Sequence, residues 1–390
     1  MNATNALRTV EMIRCANKAA SGHRAARHAL QEARTEQASL SVDHILGSST
    51  GAYEAARKHT RRTEKRLQRA ASKLHAWRPT LNRYPTELQR HRATRNLLEH
   101  LADDAVSLIT AADLVLIQTS AGKDSLVALH RTVEAARKAG CLHKLRVMHC
   151  DLGQAEWPGV RELARRQAER YAIPFIVVAS EGGFLGMVQE RGLWPDAARR
   201  LCTAYLKRDP TGPVITRLTE TLGLGRQAIV LNVMGVRGAE SRSRALKSRL
   251  TVDDRTSSSN RLVLTWNIIH ELPDSQVWQE IADNALEYHP IYDTGLPRLS
   301  CVYCVLASPD WLVLATRVCF ALELPHPQLY AALERRINHS FKKDLTIGGI
   351  IAAARMLDAL DGPLTWRRGD ALRHHLSPST ADSYLARLSV

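Results

Sequence analysis

The run Leu114-Val-Leu-Ile-Gln-Thr-Ser-Ala-Gly-Lys-Asp-Ser125 passes from apolar to polar within a few residues. Leu114 to Ile117 is a short apolar segment of the length expected for a buried strand. It ends in a polar turn containing a glycine. From Asp124 to Ala139 apolar residues recur at helical spacing, and Gly140 stands where a helix C-terminal cap belongs. A strand–turn–helix junction of this kind aims backbone N–H groups and the positive helix end at an anion. Lys123 adds a full charge, and Ser120 and Ser125 add hydroxyl donors. Gly122 allows close backbone approach or a positive φ. With Ala121 and Asp124, these residues make up the candidate nucleotide-binding loop.

Downstream the same alternation repeats. Leu145 to Cys150 is a second strand candidate closed by Asp151, Phe175 to Ala179 a third and Ile229 to Met234 a fourth. Val160 to Tyr171 and Thr211 to Leu222 read as helices between them. Strands alternating with helices predict βαβ units and a parallel sheet. Right-handed crossovers then bring the C-terminal strand ends to one edge, where ligands bind. Ser120–Ser125, Asp151–Gly153 and Gly235–Arg244 all fall at that edge. Thr251 to Asn260 reads as a polar, mobile loop.

The flanks differ from this middle. Residues 1–105 carry 19 Lys and Arg against 10 Asp and Glu, a large part of a net charge of +15. Arg57 to Lys73 is a basic helical stretch, and the prolines of Arg78-Pro-Thr-Leu-Asn-Arg-Tyr-Pro85 interrupt it before a helix over Thr86 to Thr110. This charge fits either a solvated helix face or a clamp for nucleic acid. The chain therefore divides into a basic helical domain (1–110), an α/β domain (111–310) and a helical C-terminal region (311–390). An apolar share of 45% suffices for a core. No run of 18 apolar residues exists, and Met1 to Val10 lacks a signal core, so a cytoplasmic protein without a membrane partner is expected. Seven cysteines in such a setting argue against a disulfide framework. Cys15, Cys141, Cys150 and Cys319 read as isolated small apolar residues, whereas Cys301-Val-Tyr-Cys304 has metal or redox spacing.

Ser120-Ala-Gly-Lys-Asp-Ser125 departs from the common ATPase loop, since no glycine lies five residues before Gly122 and Asp124 follows the lysine. It resembles the PP-loop of the ATP pyrophosphatases, S-G-G-K-D-S, with Ala121 in place of the first glycine. Further blocks resemble the phosphoadenosine-phosphosulfate reductase-like branch of that superfamily. His149-Cys-Asp-Leu-Gly153 is similar to its D-T-G. Arg199-Arg-Leu-Cys-Thr-Ala-Tyr-Leu-Lys207 is similar to R-x-C-x-x-x-L-K, and Gly235-Val-Arg-Gly-Ala-Glu-Ser-Arg-Ser-Arg244 to G-x-R-x-x-E-S-x-x-R. Trp266, Trp278, His289-Pro290, Tyr292, Gly295, Arg298 and Cys301-x-x-Cys304 follow in the family's order. The resemblance spans about Asp113 to Leu324. It implies an α/β fold with the parallel sheet of the PP-loop (adenine nucleotide α hydrolase-like) type, flanked by helical regions.

The resemblance also implies ATP as ligand and cleavage between its α and β phosphates. Lys123, Lys207, Arg237 and Arg244 would stabilise the departing pyrophosphate. Asp124 would hold Mg²⁺ or cap the following helix. Asp151 would accept hydrogen bonds from a ribose or adenine edge. Glu240 would orient Arg237 or Arg244, and Gly235 and Ser241 belong to the same nucleotide block. Cys202, brought to Cys301 and Cys304 by folding, would complete three thiolates for a [4Fe–4S] cluster, with zinc or free thiols as alternatives. A sulfonucleotide reductase carries a nucleophilic cysteine in an E-C-G-x-H tail, and no cysteine follows Cys319 in this sequence. The first expectation is therefore an ATP pyrophosphatase that activates nucleic acid, DNA ahead of RNA, for sulfur insertion, as in DNA phosphorothioation. Expected partners are a cysteine desulfurase, other modification proteins and a second copy of the chain as a homodimer. The alternatives are reduction of an adenylyl sulfate to sulfite, and a non-catalytic nucleotide- and nucleic-acid-binding subunit.

Overall fold

Apolar runs that end in polar turns form the sheet, because both faces of a parallel strand must be covered. The computed structural model describes residues 2–45 and 50–388, with the side chains of 42–45 and 50 left aside. The six strands are β1 (Leu114–Thr119), β2 (Leu145–Asp151), β3 (Phe175–Ala179), β4 (Ala228–Val233), β5 (Leu250–Val252) and β6 (Arg261–Trp266). They lie in the order β3-β2-β1-β4-β6-β5. All neighbours are parallel except β5, which runs antiparallel along β6. The four expected strands are present to within about two residues. β6 was not expected, although Arg261-Leu-Val-Leu-Thr-Trp266 is rich in β formers. The stretch before it, expected to be a mobile loop, contributes most of β5 and is fastened to β6. Ser257 Oγ accepts from Val263 N at 2.9 Å, and Thr256 is buried.

The strand order reverses beside β1, so the ends of β1 and β4 flank the sheet's switch point. Helix Lys123–Lys138 leaves β1 there. Helix Asp209–Glu220 precedes β4 and is entered through a π-helical turn at Ala204–Arg208. Pro210 carries no N–H, so the Leu206 carbonyl within that turn lacks its regular helical partner.

The chain separates into two compact units, Met1–Asp104 and Ala105–Val390. The last eighty residues, distinguished in the sequence by their helical pattern, therefore share a unit with the sheet. Their Leu312, Tyr330, Leu372 and Tyr384 enter the same apolar core as Trp278 and Tyr288. Trp278 meets Tyr288 and Tyr292 edge-on and stacks on His375.

The first unit is helical, as its composition implied. α1 (Ala3–Ile45) packs on α2 (Thr50–Ala76), where Thr60 Oγ1 donates to the Ala33 carbonyl at 3.1 Å. After Pro85, a capping box on Thr86 and Gln89 starts helix Glu87–Ala102. That helix ends at Ala102, and after a break at Asp103-Asp104 a second helix, Ala105–Ala111, covers the rest of the stretch expected to be helical to Thr110. Among the described residues no helix is long and apolar enough to cross a membrane.

Candidate nucleotide-binding site

The turn after β1 is held by its own hydroxyls. Ser125 Oγ donates to the Gly122 carbonyl at 2.9 Å and lies 3.2 Å from the Ser120 N–H, which donates to it. Thr119 Oγ1 accepts from Ala121 N at 3.0 Å. The positive φ falls on Ala121 (φ 56°), not on Gly122 (φ −71°). Ala121 thus takes the left-handed conformation that a glycine would adopt without strain, and the turn still closes. Gly122 is needed for proximity instead. A Cβ there would stand 3.2 Å from Tyr292 Oη and 3.3 Å from Ser120 Oγ. Tyr292 Oη accepts from the backbone N–H of Lys123 at 3.0 Å and of Leu299 at 3.2 Å.

The end of β4 closes on the same turn. A Cβ at Gly235 would lie 2.7 Å from both Cα and N of Ser125. Two residues later Arg237 enters the site almost fully buried. Its Nε donates to Asp124 at 2.5 Å and its Nη2 to Asp274 at 2.6 Å. Lys123, also buried, lies 3.2 Å from Asp124 and 2.8 Å from Asp274. Two cations and two carboxylates therefore alternate around a square at the head of helix Lys123–Lys138. Burial alone would raise the Asp274 carboxyl, but Lys123 and Arg237 hold it below the usual carboxylate range. Asp124 makes no cap, since the N-cap Gly122 has no side-chain bond, so its carboxylate is spent on the two cations.

Asp274 escaped the sequence reading. It begins helix Asp274–Asp283 behind Pro273, 151 residues from its partner Lys123. An acid in a first helical turn after proline was the available signal. His375, 3.9 Å from Asp274, was also missed and brings the C-terminal helices to the site.

Glu240 orients Arg244, and its other oxygen accepts from Arg298 at 2.9 Å. It also accepts from the backbone N–H of Arg237 at 3.1 Å, while Asp124 and Asp274 direct that arginine's side chain. Ser241 caps the short turn Arg242–Ala245. Asp151 accepts from Gly153 N at 2.8 Å and pairs with Arg161 at 3.3 Å. It lines a cleft of about 330 Å³ with Glu156, Trp157 and His326, which Lys123 and Arg237 do not reach. His149, at the end of β2, bridges the Thr119 carbonyl at 3.0 Å and Glu156 at 3.2 Å. Burial would lower this imidazole's pKa, but Glu156 and the carbonyl raise it above its usual value.

Lys207 lies on the exposed π-helical turn. Its charge acts on the cysteines, opposing the burial that pushes Cys150 up to about 11 and Cys301 up to about 12. Cys202 and Cys304 raise Cys301 further, so the three expected thiols do share one neighbourhood. As placed they are not a cage: among the described residues no three His, Cys, Asp or Glu side chains stand where they could hold a metal ion.

Sheet, switch point and loop define an α/β domain with two buried cations and two carboxylates at its carboxyl edge. Residues 115–307, just under half of the chain, match the family model of the phosphoadenosine phosphosulfate reductase domain, and this stretch is similar to that family. No curated protein matches the chain. Among solved structures it is similar to phosphoadenylyl-sulfate (PAPS) reductase from Candida auris in a phosphate complex. Identity is 18%, over 52% of this chain and 87% of that one, with a TM-score of 0.35. It is also similar to Candida glabrata FMN adenylyltransferase in complex with FAD and inorganic pyrophosphate. Identity is 10%, over 52% of this chain and 62% of that one, under two thirds of its length, with a TM-score of 0.35.

Proposed function

We propose that this chain binds ATP and cleaves it between the α and β phosphates to activate a nucleic-acid phosphate for sulfur insertion. The observation that carries the reading is the square of Lys123, Arg237, Asp124 and Asp274 at a helix N-terminus. Two buried cations at a helix N-terminus suit a triphosphate, which would replace the carboxylates as their partner. A phosphate oxygen of the acceptor attacks the α-phosphorus, the α–β bridging bond breaks, and pyrophosphate leaves with the negative charge. Lys123 and Arg237 stabilise that charge, with Arg244 held in reserve by Glu240. Sulfide, released from a desulfurase partner's persulfide by a thiol reductant, then attacks the activated phosphorus, and AMP leaves as the P–S bond forms.

Mg²⁺ fits this site, since it binds through one or two carboxylates plus substrate phosphates, and Asp124 and Asp274 offer that pair. When bound it would neutralise charge on the triphosphate. Cys202, Cys301 and Cys304, the thiols expected to hold an iron–sulfur cluster or zinc, do not form a metal cage as placed among the described residues.

The test is pyrophosphate and AMP release from ATP, with and without DNA. Orthophosphate as the only product, or no product with acceptor present, overturns the reading. The family match favours a second reading, reduction of an adenylyl sulfate to sulfite. Against it, Cys319 is buried with its thiol pushed up to about 12, a poor nucleophile. Sulfite formed from the sulfonucleotide and thioredoxin would decide for that second reaction.

A further inference from the structure

The first unit carries a second concentration of charge, built differently from the nucleotide site. On α2, Ala56, Thr60 and Thr63 are buried, and Leu67, Ala70 and Leu74 are half-buried. At about 100° per residue these positions cluster on one side of the helix, the side packed on α1. Lys58, Arg61, Arg62, Lys65, Arg66, Arg69 and Lys73 are all exposed. Their spacing confines them to an arc of about 140° centred opposite the buried side, over roughly 22 Å of helix.

None of the seven has an ion-pair partner among the described residues. The acids of α2 are engaged elsewhere: Glu54 with Arg57 at 3.4 Å, and Glu64 with Arg34 at 3.0 Å. Seven neighbouring cations without counter-charges repel one another, so the stripe lowers the stability of its own helix. A partner of opposite charge relieves that repulsion.

We propose that this stripe is a docking surface for the phosphodiester backbone of a double-stranded nucleic acid. Three features favour that occupant. The stripe runs along one unbroken helix, and a duplex presents phosphates along a comparable path. No Phe, Tyr or Trp occurs between Glu54 and Ala76, so the stacking platforms that hold single-stranded bases are missing. The apolar side of α2 is occupied by α1, leaving nothing to insert into a lipid surface, as an interfacial helix must. Contacts of this kind carry no base preference, so the stripe supplies affinity and leaves sequence selection to other residues. The inference deepens the proposed function by locating its acceptor, but it stands on α2 alone.

The experiment uses the full chain and labelled 20-base-pair DNA, 20-base-pair RNA and a 20-nucleotide oligo(dT), with anisotropy read between 50 and 200 mM salt. The variant replaces Arg61, Arg62, Lys65, Arg66 and Arg69 with Gln. Duplex affinity is expected to fall by about 10²-fold near 150 mM salt. The slope of log K against log salt should flatten by roughly 0.9 for each lost contact. The Lys variant of the four arginines should keep the wild-type slope. Binding of either duplex with this behaviour supports the surface, and the two duplex arms distinguish DNA from RNA. Equal slopes for wild type and Gln variant overturn it. So does tighter binding to oligo(dT), or binding only to phosphatidylserine vesicles. Helicity by circular dichroism, and ATP turnover without nucleic acid, should match wild type in both variants. Absence of pyrophosphate release by the wild type with DNA present would instead sink the nucleotide reading and leave the stripe standing.

Discussion

The square at the loop and the stripe on α2 are both made of Lys and Arg, yet they use charge in opposite ways. Lys123 and Arg237 are buried and paired, with every contact directional. The stripe is exposed and unpaired. Buried paired ions are expensive to disturb and hold one geometry, which suits a reaction with a defined line of attack. Exposed unpaired ions act at a distance, are screened by salt, and suit a polymer whose register does not matter. The square sums to zero, so only the stripe adds to the net charge of +15, and only the stripe should respond strongly to ionic strength.

Perturbations rank accordingly. Lys123→Glu places a third carboxylate beside Asp124 and Asp274, and pyrophosphate release should fall by about 10³-fold or more. A variant with normal turnover would erase the distinction between the two charge groups. Gly235→Ala should destabilise the second unit by about 1–3 kcal/mol, because the new methyl meets backbone rather than a movable side chain. That corresponds to roughly 2–4 °C of melting temperature per kcal/mol. A wild-type melt would show that β4 and the loop are not locked together.

Glu156→Gln tests pairing at His149 through pH. A histidine whose folded pKa is raised contributes stability below its unfolded value, near 6.5, and loses it as pH rises through the folded value. The deficit of the variant should be on the order of 1–2 kcal/mol around pH 6 and shrink above neutrality. A deficit that grew with pH would reverse the assignment. Ala121→Gly should change least. Relief at φ 56° is offset by a freer unfolded chain, so stability should stay within about 1 kcal/mol of wild type. A large loss of turnover would mean that the methyl group has a role in the loop beyond tolerance.

Much of the second unit was legible because local chemistry and tertiary position agree there. Leu114–Thr119 and Phe175–Ala179 must be apolar to lie inside a parallel sheet, and the loop must be polar to serve an anion. Lys123, Asp124 and Arg237 could be named from their blocks for the same reason. Asp274 and His375 could not: the proline and acid at Asp274 mark a helix start, but the ion pairs of these residues arise only when distant helices come together. Gly122 was read correctly for closeness but not for φ, since which residue of a turn goes left-handed depends on what packs above it. The stripe on α2 was visible as composition. Its single-sided arrangement needed the position of α1.

The helices after residue 310 matter for anyone who would trim this protein to its recognisable middle. Tyr384 donates to the Leu286 carbonyl at 2.8 Å, and His375 lies flat against Trp278, whose helix begins with Asp274. A fragment ending where the family pattern ends would expose an aromatic wall to water and unseat the carboxylate that faces Lys123. Such a fragment should be sticky and should lose the proposed turnover for a reason unrelated to Lys123, Asp124 and Arg237, all of which it would still contain.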